Sequence, residues 1–461
     1  METFDCVSPL DYRYYGENDR IYKKVHPYLS EEANIRYTLR VEAALTFGLA
    51  RRKLIPTTIA EEIQDASQLV TPKEVYEEER RIHHYTRAMV NCLRKKVSKN
   101  TAPFVHLFAT SFDINDTATA LRLKDFTKNV ILIDLLQLEK ILVSFARNTA
   151  EVVQIGRTHG QHAVPITFGF AIAEYIDRLG TRIARIQKES GELRGKLSGA
   201  VGAYNSFSLI IPDPEDFEQE VLEDLGLRPG LHSTQIVEPE YITDLIYAVI
   251  SCFGVLANLA DDMRHLQRTE IDEIRESFEN EQVGSSTMPH KRNPWNFEHV
   301  KSLWKEFMPR MISVFSNQIS EHQRDLTNSA SSRFVPEILV GFTDAVDRLI
   351  SICSKFQINK QNIDKNLHMS SQRFVAEPLY ILLSWFRHPD ANEKVRTLTL
   401  KAEKEGIDLI DCALHEDSLK PYFSQMSEDQ INLLKAPTRY IGKAVSKTYE
   451  ICDFWESFLL L

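Results

Sequence analysis

Apolar residues recur near a 3.6-residue period along most of this chain, with polar positions filling the opposite phase. In residues 31–54 the apolar phase is carried by Tyr37, Leu39, Val41, Ala44, Leu45 and Phe47, which predicts a helix. The same spacing predicts helices over 74–96, from the polar cluster ending at Thr117 to about Ala150, over 167–197, over 242–275, and from Trp295 towards Glu321. Several of these exceed 25 residues, the length of bundle helices. The most apolar run, 245–260, has 16 residues, includes Ser251 and Asn258, and lies between Asp244 and Asp261. It is too short to span a bilayer and belongs inside a bundle, one often completed by other subunits. The chain carries no internal repeat and no low-complexity linker.

Composition narrows the class. A chain of 461 residues exceeds one ordinary core. Only 17 residues are glycine, about half the usual ~7 %, which favours long helices over a turn-rich β protein. A formal net charge of -10 argues against a nucleic-acid-binding surface, so an anionic ligand must be met by local cations. The six cysteines have no CxxC spacing and read as reduced, in a cytoplasmic protein. The opening residues show no basic apolar leader and hence no expected export signal.

The chemistry collects in polar interruptions of the helical pattern. Residues 284–294 combine a Gly-Ser-Ser head with Lys291, Asn293 and Pro294. Asn293 suits an N-cap and Pro294 the first helical position, bringing Lys291, an amide and helix-end N–H groups around one anion-sized space. A solvated basic turn is the plainer reading. Residues 106–117 offer Thr110, Ser111 and Asp113, which either cap the next helix or hold a ligand carboxylate. Residues 155–165 contain His159 and His162 without the HExxH pattern of a zinc site, so no metal is expected and a histidine here suits proton transfer. Arg324 and Arg333, with hydroxyls between them, can chelate a phosphate or remain solvated. His83 and His84 form a pair that is satisfied, solvent-facing or functional.

The motifs GSSTMPHKRNP, HLFATSFDIND, RTHGQHAVP, SPLDYRYYG, GAVGAYN, STQ, QRDLTNSASSR and RYIGKA occur in an order and spacing that resembles the fumarase/aspartase superfamily, and within it the adenylosuccinate lyase family. The similarity runs through nearly the whole chain. It implies an all-α subunit of three regions, 1–112, 113–364 and 365–461, whose central long helices join those of three other chains in a twenty-helix core. It also implies a homotetramer with active sites shared among three subunits, a nucleotide substrate, and no metal or organic cofactor.

The reaction implied is β-elimination of fumarate from adenylosuccinate and from succinylaminoimidazolecarboxamide ribotide in purine biosynthesis. By resemblance Ser285 is the base, His159 the proton donor and Glu298 its orienting partner, with a role for His84. Lys291 and Asn293 would hold the succinyl carboxylates, assisted by Thr110 and Ser111, with Asp113 at the same helix start. Gln235 would contact substrate, and Arg13, Tyr14, Arg324, Ser329 and Arg333 would receive the phosphate and ribose. Two positions depart from the family pattern: Tyr85 follows His84 where an Asp is usual, and His299 follows Glu298 where an Asn is common. The alternatives are argininosuccinate lyase or carboxymuconate cycloisomerase chemistry on the same fold, and a non-catalytic helical scaffold.

Overall fold

A computed structural model describes residues 5–277, 284–369 and 374–460. Helices dominate, joined by short strands, and the chain forms two compact units that alternate along it. The first unit comprises residues 1–135, 181–257 and 299–348; the second comprises 136–180, 258–298 and 349–461.

In the first unit the predicted 31–54 helix is Glu31–Arg51. Ser30 starts it by accepting the Ala33 N–H, and Glu31 and Glu32 oppose the positive helix end. Its buried Leu45 and Leu49 pack with Phe207, Phe217 and Val221. The predicted 74–96 helix is two helices, Pro72–Ile82 and Tyr85–Arg94. His83 ends the first with a left-handed φ of 55°, and His84 caps the second. Periodicity survives this break because both helices bury one face, which is why spacing alone did not detect it.

The pattern ending near Ala150 is helical throughout as Ser111–Phe126, a π turn at Thr127–Ile131, and Leu132–Asn148. The apolar run lies within the helix Glu240–Leu266, which is long and apolar enough by composition to cross a membrane. Its Leu245, Ile246, Val249, Cys252 and Phe253 are nonetheless buried, and the Phe253 ring meets Phe342 edge-on. This helix stops nine residues short of the expected end, because Glu273 N–H turns back to the Leu266 carbonyl and Ile274–Arg275 pairs with Gln357–Ile358. The expected helix to Glu321 is likewise divided: Trp295–Phe307, a 3₁₀ turn containing Pro309, then Met311–Ser316.

In the second unit, strands β1 (Val153–Thr158) and β2 (Gln161–Thr167) form an antiparallel hairpin. Ile155 at its base packs with Leu367 and Phe374. A separate core around Leu379, Leu383, Leu398 and Leu419 holds the C-terminal helices. Trp455 donates its indole N–H to Asp177 at 2.9 Å.

Candidate active site

The hairpin presents His159. Thr158 pairs with Gln161, leaving His159 and Gly160 as a two-residue loop with φ values of 54° and 72°. Positive φ at both central positions is what a type I′ turn requires, and it is unfavourable for a residue with a Cβ. The hairpin therefore holds an exposed imidazole at its tip in a strained backbone, a feature that clusters at functional sites. Below the tip, Glu273 is fully buried and takes both ends of the Arg157 guanidinium, at 2.6 and 3.2 Å. Gln154 and Asn366 also donate to it, at 2.7 and 2.8 Å. Four hydrogen bonds thus compensate one buried charge and fix the strand that carries His159.

The loop over 284–294 is held by its own side chains. Ser285 Oγ accepts the Met288 N–H at 3.1 Å and the Thr287 N–H at 3.4 Å. Donors aimed at a hydroxyl oxygen favour its deprotonated form. Asn293 donates to the Gly284 carbonyl at 3.0 Å, clipping the two ends of the loop together.

This corrects the expected N-cap. The helix begins at Trp295, the Pro294 carbonyl accepts its first bond, and the Asn293 amide donates one N–H across the loop instead of capping. A side chain from elsewhere meets the helix start instead: buried Glu276 accepts the Phe297 N–H at 3.0 Å and the Asn296 amide at 2.9 Å. Burial raises the Glu276 pKa, while those two hydrogen bonds pull it back. Lys291 and Glu298 are exposed. Neither Glu298 nor His159 makes a side-chain hydrogen bond to any described residue of this chain.

In the first unit a second group is assembled from distant segments. Thr110 precedes the helix Ser111–Phe126, and Asp113 accepts the Thr110 N–H at 2.8 Å. The other Asp113 oxygen accepts the Ser198 and Gly199 N–H groups, at 3.0 and 3.1 Å, and pairs with buried Lys196. Asp113 is fully buried, so the capping alternative describes it and a direct ligand contact does not. Ser111 and Thr110 remain partly exposed at the helix start.

One turn on, Asp116 accepts the Val237 N–H at 2.9 Å, and Ser198 Oγ bonds Ser233 Oγ at 2.7 Å. A Cβ on Gly202, whose φ is 78°, would lie 2.0 Å from the Ser233 carbonyl oxygen, so only glycine allows this approach. Gln235 N–H reaches the Gln323 carbonyl at 3.3 Å, and the neighbouring Arg324 guanidinium stacks 3.8 Å from the Phe112 ring centroid. Thr110, Ser111, Gln235 and Arg324 are therefore brought into one cluster.

The remaining candidates are less connected. Tyr14 packs tilted against His299, ring centroids 5.4 Å apart, and His299 Nε2 lies 3.6 Å from Asp344 without a hydrogen bond. The departure at His299 thus touches a predicted substrate residue. Arg13 is exposed. Ser329 and Arg333 begin and end a short helix, with Arg333 exposed. His84 is exposed, and its Nδ1 accepts the Arg87 N–H at 3.2 Å, which leaves Nε2 as the outward nitrogen. His106, not singled out from the sequence, lies 2.6 Å from buried Glu42; burial lowers its pKa, but the Glu42 charge and hydrogen bond outweigh this and raise it. Glu273, Glu276 and Lys196 were likewise missed, since nothing near them in sequence marks their partners.

A family profile described as "Lyase" matches residues 12–306, and one described as "Adenylosuccinate lyase C-terminal" matches residues 320–428. The chain is 37% identical to an adenylosuccinate lyase of Pyrococcus abyssi, covering 98% of both chains. It is 33% identical to an adenylosuccinate lyase of Archaeoglobus fulgidus, covering 95% of this chain and 96% of that one. The crystal structure of a fumarate lyase from Mesorhizobium sp. BNC1 superposes with a TM-score of 0.82 at 22% identity, over 94% of this chain and 97% of the other, which establishes the shared fold.

Proposed function

The chain belongs to the adenylosuccinate lyase family of the fumarase/aspartase superfamily and is a carbon–nitrogen lyase, and we propose that it eliminates fumarate from adenylosuccinate with Ser285 as base and His159 as acid. The observation that carries this assignment is the pair of backbone N–H groups from Thr287 and Met288 donated to Ser285 Oγ. They lower the cost of an alkoxide that a free serine would not form.

The alkoxide takes the proton from the carbon beside a succinyl carboxylate. The electron pair left behind forms the fumarate double bond as the C–N bond breaks, and His159 supplies the proton to the leaving nitrogen. Before that bond breaks, negative charge accumulates on the carboxylate. Lys291, Asn293 and the helix start at Thr110–Ser111 hold it, and Gln235 orients the substrate. Arg13, Tyr14, Arg324, Ser329 and Arg333 take the phosphate and ribose, and Arg333 is exposed and available. The succinylaminoimidazolecarboxamide ribotide presents the same succinyl-nitrogen bond and phosphate and is the second substrate. Neither step calls for a metal or organic cofactor.

The site is completed between subunits of a homotetramer, which supplies Glu298 to His159 of another chain. Exposed Ile312, Ile319 and Leu326 support such burial. Regions 1–112, 113–364 and 365–461 are the three parts of that subunit. Six cysteines, none of them in a disulfide, fit a cytoplasmic enzyme. The test is fumarate release from adenylosuccinate by the purified parent and by Ser285→Ala. Turnover in the parent and its near-complete loss in the variant are the expected results; full activity in Ser285→Ala overturns the base, and a parent active only on substrates without phosphate overturns the nucleotide reading.

A further inference from the structure

A cavity of about 130 Å³ lies in the first unit, between the helix Ser111–Phe126, residues 236–243 and residues 314–336. Three arginines line it, and each has a nitrogen that is fully enclosed yet without a hydrogen-bond partner: Arg122 Nε, Arg194 Nη1 and Arg324 Nε. Arg194 spends its other end on Glu192 and lies 4.9 Å from the Tyr241 ring centroid. Arg122 makes no hydrogen bond or ion pair with any described residue. Its most influential opposite charge is Glu31, acting through space, and burial disfavours its charged form.

Arginine does not escape this cost by losing its proton, because its pKa is too high. The lining carboxylates are two, Asp116 and Glu238. Asp116 already accepts the Val237 N–H, and burial pushes its pKa up to about 6. Glu238 has one oxygen enclosed without a partner. Water would satisfy hydrogen bonds here but would bring no countercharge, and the lining mixes apolar Leu193, Ile242 and Val314 with neutral polar Thr119, Asn317 and Asn328.

We propose that this cavity binds a small oxyanion, a carboxylate or phosphate on a short apolar body, with Arg122 as its principal cation. Guanidinium forks match either anion bidentately. Arg324 is the one proposed substrate contact that also lines the cavity, so the decisive variant is Arg122→Met, which lies outside the substrate assignment.

The experiment is calorimetric titration of the full-length protein with inorganic phosphate and with succinate, at constant ionic strength, in the parent, Arg122→Met and Arg333→Met. The parent and Arg333→Met should bind at least one probe, while Arg122→Met binds it at least about tenfold more weakly. Binding of phosphate alone, or of succinate alone, identifies the anion type. Failure of both probes, unchanged binding in Arg122→Met, or loss of binding in Arg333→Met overturns the proposal, the last because it assigns the ion to the substrate's phosphate site. Thermal melting without ligand separates a binding role from a structural one. A cation kept unpaired for a ligand makes Arg122→Met at least as stable as the parent, whereas a lower melting temperature marks Arg122 as a structural cation and also overturns the proposal.

Discussion

The two groups of candidate residues are held in opposite ways. Around Thr110, Gln235 and Arg324, four segments distant in sequence are locked by Asp113, Asp116, Lys196 and Ser198, and of these Asp113, Lys196 and Ser198 are fully buried. Around His159 and Ser285 the supporting carboxylates Glu273 and Glu276 are just as buried, but the reacting side chains stand clear of them on a hairpin tip and a loop. The first arrangement suits recognition of a charged ligand, which gains from preorganised donors. The second suits groups that must approach the substrate and change protonation state, with their rigidity confined to the base of each element.

The sharpest way to break this contrast is to remove a reacting group whose own contacts are few. Ser285→Ala should lower turnover by at least about 10³-fold, with little change in unfolding free energy. A large loss of stability on denaturant titration would mean the loop is structural and the contrast false. Removing the base of the hairpin should do the reverse. Glu273→Ala leaves the mostly buried Arg157, Gln154 and Asn366 without their shared partner and should cost about 3 kcal/mol in unfolding free energy, read by urea denaturation.

A pH experiment probes the first group. Burial holds the Asp116 pKa at about 6 in the folded chain, above the ordinary value of 3.8. Between these values the folded form keeps the extra proton, so this group's contribution to stability falls as pH rises from about 4 to 6. Asp116→Asn should remove that fall, a difference of up to about 3 kcal/mol between the two proteins across the interval. Parallel stability curves for parent and variant would show that Asp116 titrates normally.

Arg333→Met sharpens the contrast on the recognition side. It should raise KM for adenylosuccinate by about 10–100-fold with little change in kcat, the loss of a charged hydrogen bond to phosphate. A fall in kcat with KM unchanged would assign it to the chemistry instead. The smallest effect belongs to His84. His84→Ala should destabilise by about 0.5–1 kcal/mol through loss of the cap on Arg87 N–H, and His84→Asn should restore it. Turnover lost in both His84→Ala and the stable His84→Asn would report contact with substrate rather than capping.

Much of this was legible because it is local. Helical periodicity located the helices Glu31–Arg51, Phe168–Glu192 and Glu240–Leu266 and the helical stretch from Ser111 to Asn148, and the loop over 284–294 carries its reactive groups within eleven residues. The hairpin was legible only as an interruption. Its strands are short, and the turn depends on His159 accepting a left-handed backbone that sequence statistics disfavour for any residue but glycine. The break at His83 was hidden because a single left-handed residue redirects a helix without disturbing the apolar phase on either side.

Spacing along the chain therefore determined the helical class, the positions of the polar interruptions and the chemical types of Ser285, His159, Lys291 and Arg324. Tertiary structure alone decided what stands behind them. Gln154 and Asn366 meet Glu273 across 119 and 93 residues, and Lys196 meets Asp113 across 83. Local rules reach only three or four residues along a helix, or one rung across a strand. Beyond that range a buried charge finds its partners only when packing removes water from both, so the carboxylates behind each group of candidate residues, and the unpartnered Nε of Arg122, became visible only in the folded chain.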